Sequence, residues 1–521
     1  MSKLKKSFNL TTAFATVDAC QDRYLKRLQE FIRYKSISDD INYRLELEKA
    51  ILWYAKKLKD IGFNVNLRRP YYKEKFYLGD GEVPLNDFEL IEFPDIILAQ
   101  KNQDISKPTI LIYAHVDVRP VENEKKWPRD PWDMRTDEDP LLARGIADQK
   151  GPMIAWLSAL EVLNKVAPTS VNIKMIVEGM ADRTSEFLEE VLIDIRSTFL
   201  HDVDHVVTSD NSWLNIKTPC ITYAMRGLLY FHVEITSGRK DVHSGICGGI
   251  MEEVMVDAAS LMTAMVKENT SVLIPGFYDQ VNWEDEDYSL EEWKLLDFKR
   301  QDIMSQEGIF QLLTKGKFDT LKRMWVVPEI SFHGVEHTFD KPESRTLIPR
   351  KILLKFSTRL VPDMNVIRTK TLIMNFINNH FKKLNSINQY TIKFFEGAVP
   401  FLADRHCLNY QCAYRACQTV WKINPNFVRN GASHYAATIL ERHTERDVLL
   451  LPICTSIDQH HFDNENLPKL NFINGIKTVL AYFYEIAVAQ KEHRDQVTLR
   501  QKKRRLWREK IYLPEGTIFK Y

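Results

Sequence analysis

The chain lacks a long hydrophobic run. No stretch approaches the roughly 18 consecutive apolar residues of a membrane-spanning helix, and the N-terminus MSKLKKSFNLTTAFATVDAC has no sustained apolar core or clear cleavage site. Net charge is also missing. Lys and Arg number 71 against 70 Asp and Glu, a formal charge of +1, so no global field draws the protein to nucleic acid or a membrane, and any charged function is local. The seven cysteines, Cys20, Cys220, Cys247, Cys407, Cys412, Cys417 and Cys454, contain no CxxC pair. An odd number so spaced fits reduced thiols better than a disulfide framework. These absences predict a soluble, cytoplasmic protein with no membrane partner, in which triplets such as Asn9-Leu10-Thr11 carry no glycosylation. No internal repeat or low-complexity tract precedes the basic tail. What the chain does have is length: 521 residues, 44% of them hydrophobic, suffice for two or more domains with ordinary cores.

Leu25, Leu28, Phe31 and Ile32 recur at helical spacing, and Leu45 to Leu58 repeats the pattern until Gly62 ends it as a C-terminal cap would. Thr109 to Val118 is an apolar run ending in polar residues, and Gly151-Pro152 opens a helix with Met153, Trp156, Leu157, Leu160 and Leu163 on one face. Ser170 to Val177 and His205 to Thr208 read as further buried strands. Strands alternating with helices imply an α/β layered fold, with polar residues delivered where strands end. From about Gly227 the texture changes to the strand RGLLYFHVEITSG, a Met-rich helix near Val254 to Val266, and a charged stretch including Trp283-Glu284-Asp285-Glu286-Asp287. After Phe395 the first texture returns, with a strand-like run at Val448 to Ile453 and a buried helix marked by Ile476, Val479, Leu480, Phe483, Ile486 and Ala487. The expected organisation is one α/β domain, residues 1–225 and 401–490, interrupted by a second at 226–400 and followed by a basic tail at 491–521.

The chemistry starts with His115-Val116-Asp117. At the end of a buried strand, alternation points His115 and Asp117 to the same side, so an imidazole can face a metal while a carboxylate fixes its tautomer from behind. Arg144-Gly145-Ile146-Ala147-Asp148 puts an acid in a tight loop before a helix, suited to bridging two cations about 3.5–4 Å apart. A helix N-cap is the plainer alternative for Asp148. Glu178-Gly179-Met180-Ala181-Asp182 follows one strand and Ser209-Asp210-Asn211 the next, while a late segment runs through Asp458, His460 and His461 to Asn464-Glu465. Two histidines and three aspartates form a nitrogen and oxygen set that suits zinc, manganese or cobalt without sulfur.

With these residues in place the chain resembles the M20 family of metallopeptidases, and within it the cytosolic nonspecific dipeptidases and carnosinases. The matching stretches are YAHVDVRP at Tyr113 to Pro120, WPRDPW at Trp127 to Trp132, ARGIADQKGP at Ala143 to Pro152 and VEGM at Val177 to Met180. TSDNSWL from Thr208, ITYAMRG from Ile221, DVHSG at Asp241 to Gly245, TLIPRK from Thr346, STRLVPDM from Ser357 and the run to His461 also match. The likeness covers roughly residues 23–489. It implies a mixed-sheet catalytic domain with helices on both faces, interrupted by an inserted α+β lid that makes a homodimer contact. It implies two divalent metal ions, Zn or Mn: His115, Asp148 and Asp210 would hold one, and Asp148, Asp182 and His461 the other. Asp117 would orient His115. His461 matches better than His460, counting from Leu451-Pro452 and from Asn464-Glu465. His243 resembles the lid histidine that crosses to the partner subunit's site and stabilises the oxyanion, and Arg359, Thr346 and Ser433 resemble residues that hold the substrate's carboxylate end.

The departures matter as much. After VEGM the family has two glutamates, the first moving a proton from water to the leaving amine and the second ligating metal. Here those places hold Ala181 and Asp182. A methyl group accepts no proton, and losing general acid/base help costs about 3–5 kcal/mol of transition-state stabilisation. Asp182 is one methylene shorter than Glu, so the second metal is expected to be weak or absent, unless Asp182 leaves the metal and acts as a poor base. Ala114 and Ala432 replace family glycines, Ala147 a threonine, Thr184 a glycine, and Gln149 the residue after Asp148, where the family often has a cis peptide. The family's other lid-side histidine has no counterpart near Cys407 to Asn409, and His406 sits too early to be given a role. The basic run Gln501 to Lys510 reads first as a solvated tail, with a nuclear address, an RNA contact or a membrane patch as alternatives, and Trp507 and Tyr512 suggest packing on the body. The expectation is a dipeptide hydrolase of M20 type with reduced activity. The alternative is an inactive homologue that binds metal, peptide or a sister subunit; nucleic-acid binding through the tail is a remote third.

Overall fold

The computed structural model describes residues 8–71, 73–77, 88–168, 170–185, 187–283, 290–339 and 344–489. The basic tail with Trp507 and Tyr512, and the acidic residues 284–287, lie outside the described residues.

Helices Gln21–Ile32 and Arg44–Asp60 form where periodicity places them. The second buries Leu47, Ala50, Ile51, Tyr54 and Leu58, spaced three and four apart, while Leu45 and Leu52 fall off that stripe and face solvent. Gly62 takes φ 88°, and the Phe63 N–H then closes back on the Leu58 carbonyl at 3.1 Å, which satisfies a carbonyl that the helix end leaves open.

Nine strands form the larger sheet. In spatial order they are Asn64–Arg68, Ile96–Lys101, Asn172–Glu178, Thr109–His115, His205–Thr208, Val448–Leu450, Cys220–Met225 and Phe401–Leu402, with Asn426–Asn430 also pairing to Cys220–Met225. The central four, Asn172–Glu178, Thr109–His115, His205–Thr208 and Val448–Leu450, run parallel. Their C-terminal ends therefore share one edge, and the residues just beyond them converge there although they are hundreds of positions apart. Thr109–His115 and Asn172–Glu178 are buried along their whole length, as strands covered on both faces must be. Gly151–Val166, with proline in its first turn, and Lys469–Ala489 are among the covering helices. Lys469–Ala489 is long and apolar enough to cross a membrane, but 72% of its most apolar window is buried inside the protein, and it packs on Gly151–Val166 as a core helix.

A four-stranded antiparallel sheet, in the order Glu329–Glu336, Lys351–Leu360, Gly227–Thr236 and Gln389–Ala398, has its own core. Gly227–Thr236 alternates buried and half-exposed residues, and Phe231 stacks on Phe356 with ring centroids 5.1 Å apart. Helices Val254–Met265 and Val366–Leu384 cover the apolar face. The fold is thus a mixed α/β sheet structure with a second, smaller α+β sheet.

His205 opens one of the parallel strands, and burial, aided by Arg446, pushes its imidazole down to about 4. The unfolded chain takes up this proton near pH 6.5, whereas the folded chain resists until about pH 4. The stability at stake, about 3 kcal/mol, is intact above pH 6.5 and lost as pH falls towards 4. His205→Gln is expected to flatten the fall in urea-unfolding stability across that window. Equal slopes in the two proteins would show that His205 is not responsible.

Candidate metal centre

Three of the four parallel strands are each followed by an acid of the site. Asp117 lies two residues past His115, Asp182 four past Glu178, and Asp210 two past Thr208. The loop after Val448–Leu450 carries His461, and Asp148 enters from the turn ahead of Gly151–Val166. Asp148 and Gln149 are joined by a cis peptide, so the change to Gln149 has not relaxed it.

The five predicted ligands come together in two groups that share Asp148: His115, Asp148 and Asp210, and Asp148, Asp182 and His461, with the donor atoms of each group within 4.8 Å of one another. His115 Nε2 lies 3.3 Å from Asp148 Oδ1 and 3.6 Å from Asp210 Oδ2. Its Nδ1 faces Asp117, 3.2 Å from Oδ1 and 3.1 Å from the backbone carbonyl. The Nδ1 proton is therefore committed to Asp117, and Nε2 is the nitrogen that faces the carboxylates. Asp117 is itself fixed: it accepts from the Ser38 hydroxyl at 2.9 Å and from the backbone N–H groups of Ala181 and Asp182 at 3.2 and 2.9 Å. His461 Nε2 contacts Asp148 Oδ2 and lies 3.6 Å from Asp182 Oδ1. The shorter acid at 182 thus still reaches the second group.

The electrostatics describe a site that wants positive charge. Burial opposes protonation of His115, but hydrogen bonds to Asp117, Asp148 and Asp210 outweigh it and hold the imidazole well above its ordinary range. The same contest, decided by Asp148, raises His461 to about 9. Burial, then repulsion from Asp117 and Asp148, pushes the Asp182 carboxyl up to about 7, and its Oδ2 is buried without a hydrogen-bond partner. Clustered carboxylates that hold protons on their neighbours, with a buried carboxylate oxygen left over, suit a pair of hard or borderline divalent cations.

The other predicted residues form two pairs. Arg359 donates to the Ser433 hydroxyl at 2.9 Å, and Ser433 precedes His434 at the rim of the site. His243 Nε2 lies 2.9 Å from the Thr346 hydroxyl, on exposed chain beyond the larger sheet. Among the described residues, neither His243 nor Thr346 makes a hydrogen bond or ion pair with the five cage residues. Three partners of the cage were missed in the sequence. Arg119 Nε lies 3.3 Å from Asp182 Oδ1, and its place two residues past Asp117 on the same alternation was the available signal. Glu465 accepts from Arg144 at 3.0 Å and from the N–H groups of Gly145, Ala147 and Asp148 at 2.7, 2.8 and 2.9 Å, a role with no local signature. His434, 7% exposed, places Nε2 3.3 Å from Asp210 Oδ2, while its Nδ1 accepts the Ala437 N–H. Thr184, where the family has glycine, takes the left-handed φ of 68° that glycine would favour.

A parallel-stranded α/β sheet whose edge gathers imidazoles and carboxylates around a shared aspartate is the framework of a metal-dependent hydrolase. The chain belongs to the peptidase family M20/M25/M40, whose family model matches residues 111–485. It is 33% identical over 487 residues to a Beta-Ala-His dipeptidase of Mus musculus, covering 93% of this chain and 97% of the relative. A Cys-Gly metallodipeptidase of Candida albicans is also 33% identical, over 483 residues, covering 91% and 97%. The crystal structure of human carnosine dipeptidase 1 superposes with a TM-score of 0.82 at 31% identity, covering 92% of this chain and 99% of that one.

Proposed function

We propose that the chain is a metallodipeptidase-type protein that hydrolyses dipeptides slowly, because the position where proton transfer is expected holds Ala181. The observation that carries this reading is the pair of donor groups sharing Asp148. Two divalent ions, Zn or Mn, would be held by His115, Asp148 and Asp210 and by Asp148, Asp182 and His461. When bound they would polarise a peptide carbonyl and acidify water.

The chain's own residues supply the rest. Asp117 keeps the His115 tautomer fixed. Arg359 and Ser433 would grip the substrate's terminal carboxylate through a guanidinium and a hydroxyl already in contact. His243 would serve the oxyanion across a homodimer interface made by the lid, residues 226–400, with Thr346, which would join Arg359 and Ser433 at the carboxylate end, hydrogen-bonded to its Nε2. Support for that interface comes from Ile246, Ile250 and Val256, near His243 in the chain and 75%, 79% and 61% exposed. The assignment of residues 1–225 and 401–490 to the catalytic unit rests on the larger sheet, which draws strands from both segments. A cytoplasmic setting is supported by seven free cysteines.

One observation favours the alternative of an inactive, binding homologue: Arg119 occupies the same Asp182 oxygen that faces His461. The test is hydrolysis of a dipeptide panel that includes β-Ala-His and Cys-Gly, with Mn²⁺ or Zn²⁺ supplied. Slow, chelator-sensitive turnover is expected. Absence of turnover in both wild type and Ala181→Glu would leave only the binding reading. His434→Ala, which frees Asp210 from its second imidazole, is expected to weaken metal uptake about 10–100-fold in a calorimetric titration. An unchanged affinity would show that His434 does not position Asp210.

A further inference from the structure

The segment between Val448–Leu450 and Glu465 carries adjacent histidines that end in different places. His461 joins the cage, while His460 lies with Cys454 and Asp458, and the ligand atoms of these three are within 4.8 Å of one another. Left-handed backbone at Gln459 (φ 55°) and His461 (φ 66°) brackets His460. We propose that Cys454, Asp458 and His460 form a separate metal site for one thiophilic divalent cation, of the zinc class, behind the loop that delivers His461.

Several independent features support it. Cys454 and Asp458 are fully buried, and a thiol, a carboxylate and an imidazole brought this close form a ligand set that suits a soft or borderline cation. The Nε2 atom of His460 is buried and has no hydrogen-bond partner. Asp458 is held rigidly, since its two oxygens accept from the backbone N–H and the hydroxyl of Thr455. Zinc–ligand bonds of about 2.0–2.3 Å would draw the three donors around one ion, with a fourth position left to solvent. The Cys454 thiol donates to the Ala147 carbonyl at 3.4 Å, a hydrogen bond that metal binding would replace. Binding exchanges the thiol proton for the cation: the S–H bond breaks, a sulfur–metal bond forms and one proton is released to solvent. This site would brace the His461 loop from behind. It is independent of the dinuclear reading, because the cage offers only nitrogen and oxygen donors.

Sulfur is what makes the test specific. Metal-free full-length protein is titrated with Co²⁺ and followed for the thiolate-to-cobalt charge-transfer absorption, with zinc content measured in parallel. The wild type is expected to show the band, and Cys454→Ser to lose it together with one equivalent of zinc per chain, while His461→Ala keeps it. His460→Ala, at a less buried position, is expected to lose the zinc equivalent and weaken the band, and it carries the test if Cys454→Ser does not fold. No band in the wild type, or a band that survives Cys454→Ser, would overturn the proposal, the latter marking another cysteine as the ligand.

Discussion

Ala181→Glu combined with Asp182→Glu is expected to raise kcat/KM for dipeptides by about 10²–10⁴-fold, equivalent to about 3–5 kcal/mol of transition-state stabilisation. Residue 181 sits in a short turn whose backbone N–H is tied to Asp117, so a longer side chain there leaves from an anchored position beside the cage. Glutamate at 182 also gives the carboxylate extra reach within the second donor group, where Asp182 Oδ1 is shared with Arg119 at 3.3 Å. The single variant Ala181→Glu separates the two effects: a gain in kcat without a change in metal affinity belongs to the base, and tighter metal uptake only in the double variant belongs to residue 182. Fast turnover by the wild type, with no gain in either variant, would mean that another group already moves the proton.

Glu465→Ala should be among the most damaging single changes in the protein, with a loss of about 3–5 kcal/mol of folding stability. Glu465 and Arg144 are 1% exposed, and the same carboxylate receives three backbone N–H groups of the Gly145 to Asp148 turn. Removing it strands a buried guanidinium and several donors at once, a cost far above that of a surface ion pair. Denaturant unfolding should show a lower midpoint with an unchanged slope. Metal binding should fall in parallel, since the turn that Glu465 organises carries Asp148. A midpoint close to that of the wild type would contradict the geometry.

Much of the site could be read before the fold was known, for a local reason. His115 and Asp117 obey strand alternation, and Asp182 and Asp210 follow short buried runs that read as strands. Their neighbours could not be read in the same way. Glu465 and Asp148 are 317 residues apart, and His434 approaches Asp210 across 224 positions. Counting from Leu451-Pro452 and Asn464-Glu465 favours His461 over His460 only against the family pattern, whereas in the fold the left-handed backbone on either side of His460 decides where each imidazole goes. The apolar helix Lys469–Ala489 also escaped the rule of continuous runs, because its helical window includes polar residues that a run would exclude.

By itself the sequence determined which donor atoms stand at strand ends and their nitrogen and oxygen character, properties of single residues and of a period of two; the methyl at Ala181 stands out only against the family that the chain resembles. Tertiary structure alone decided that the four central strands lie parallel in the order Asn172–Glu178, Thr109–His115, His205–Thr208, Val448–Leu450, and so which donors share Asp148. Strand order depends on how connecting helices pack over the sheet faces, and that choice is made by the whole buried core at once.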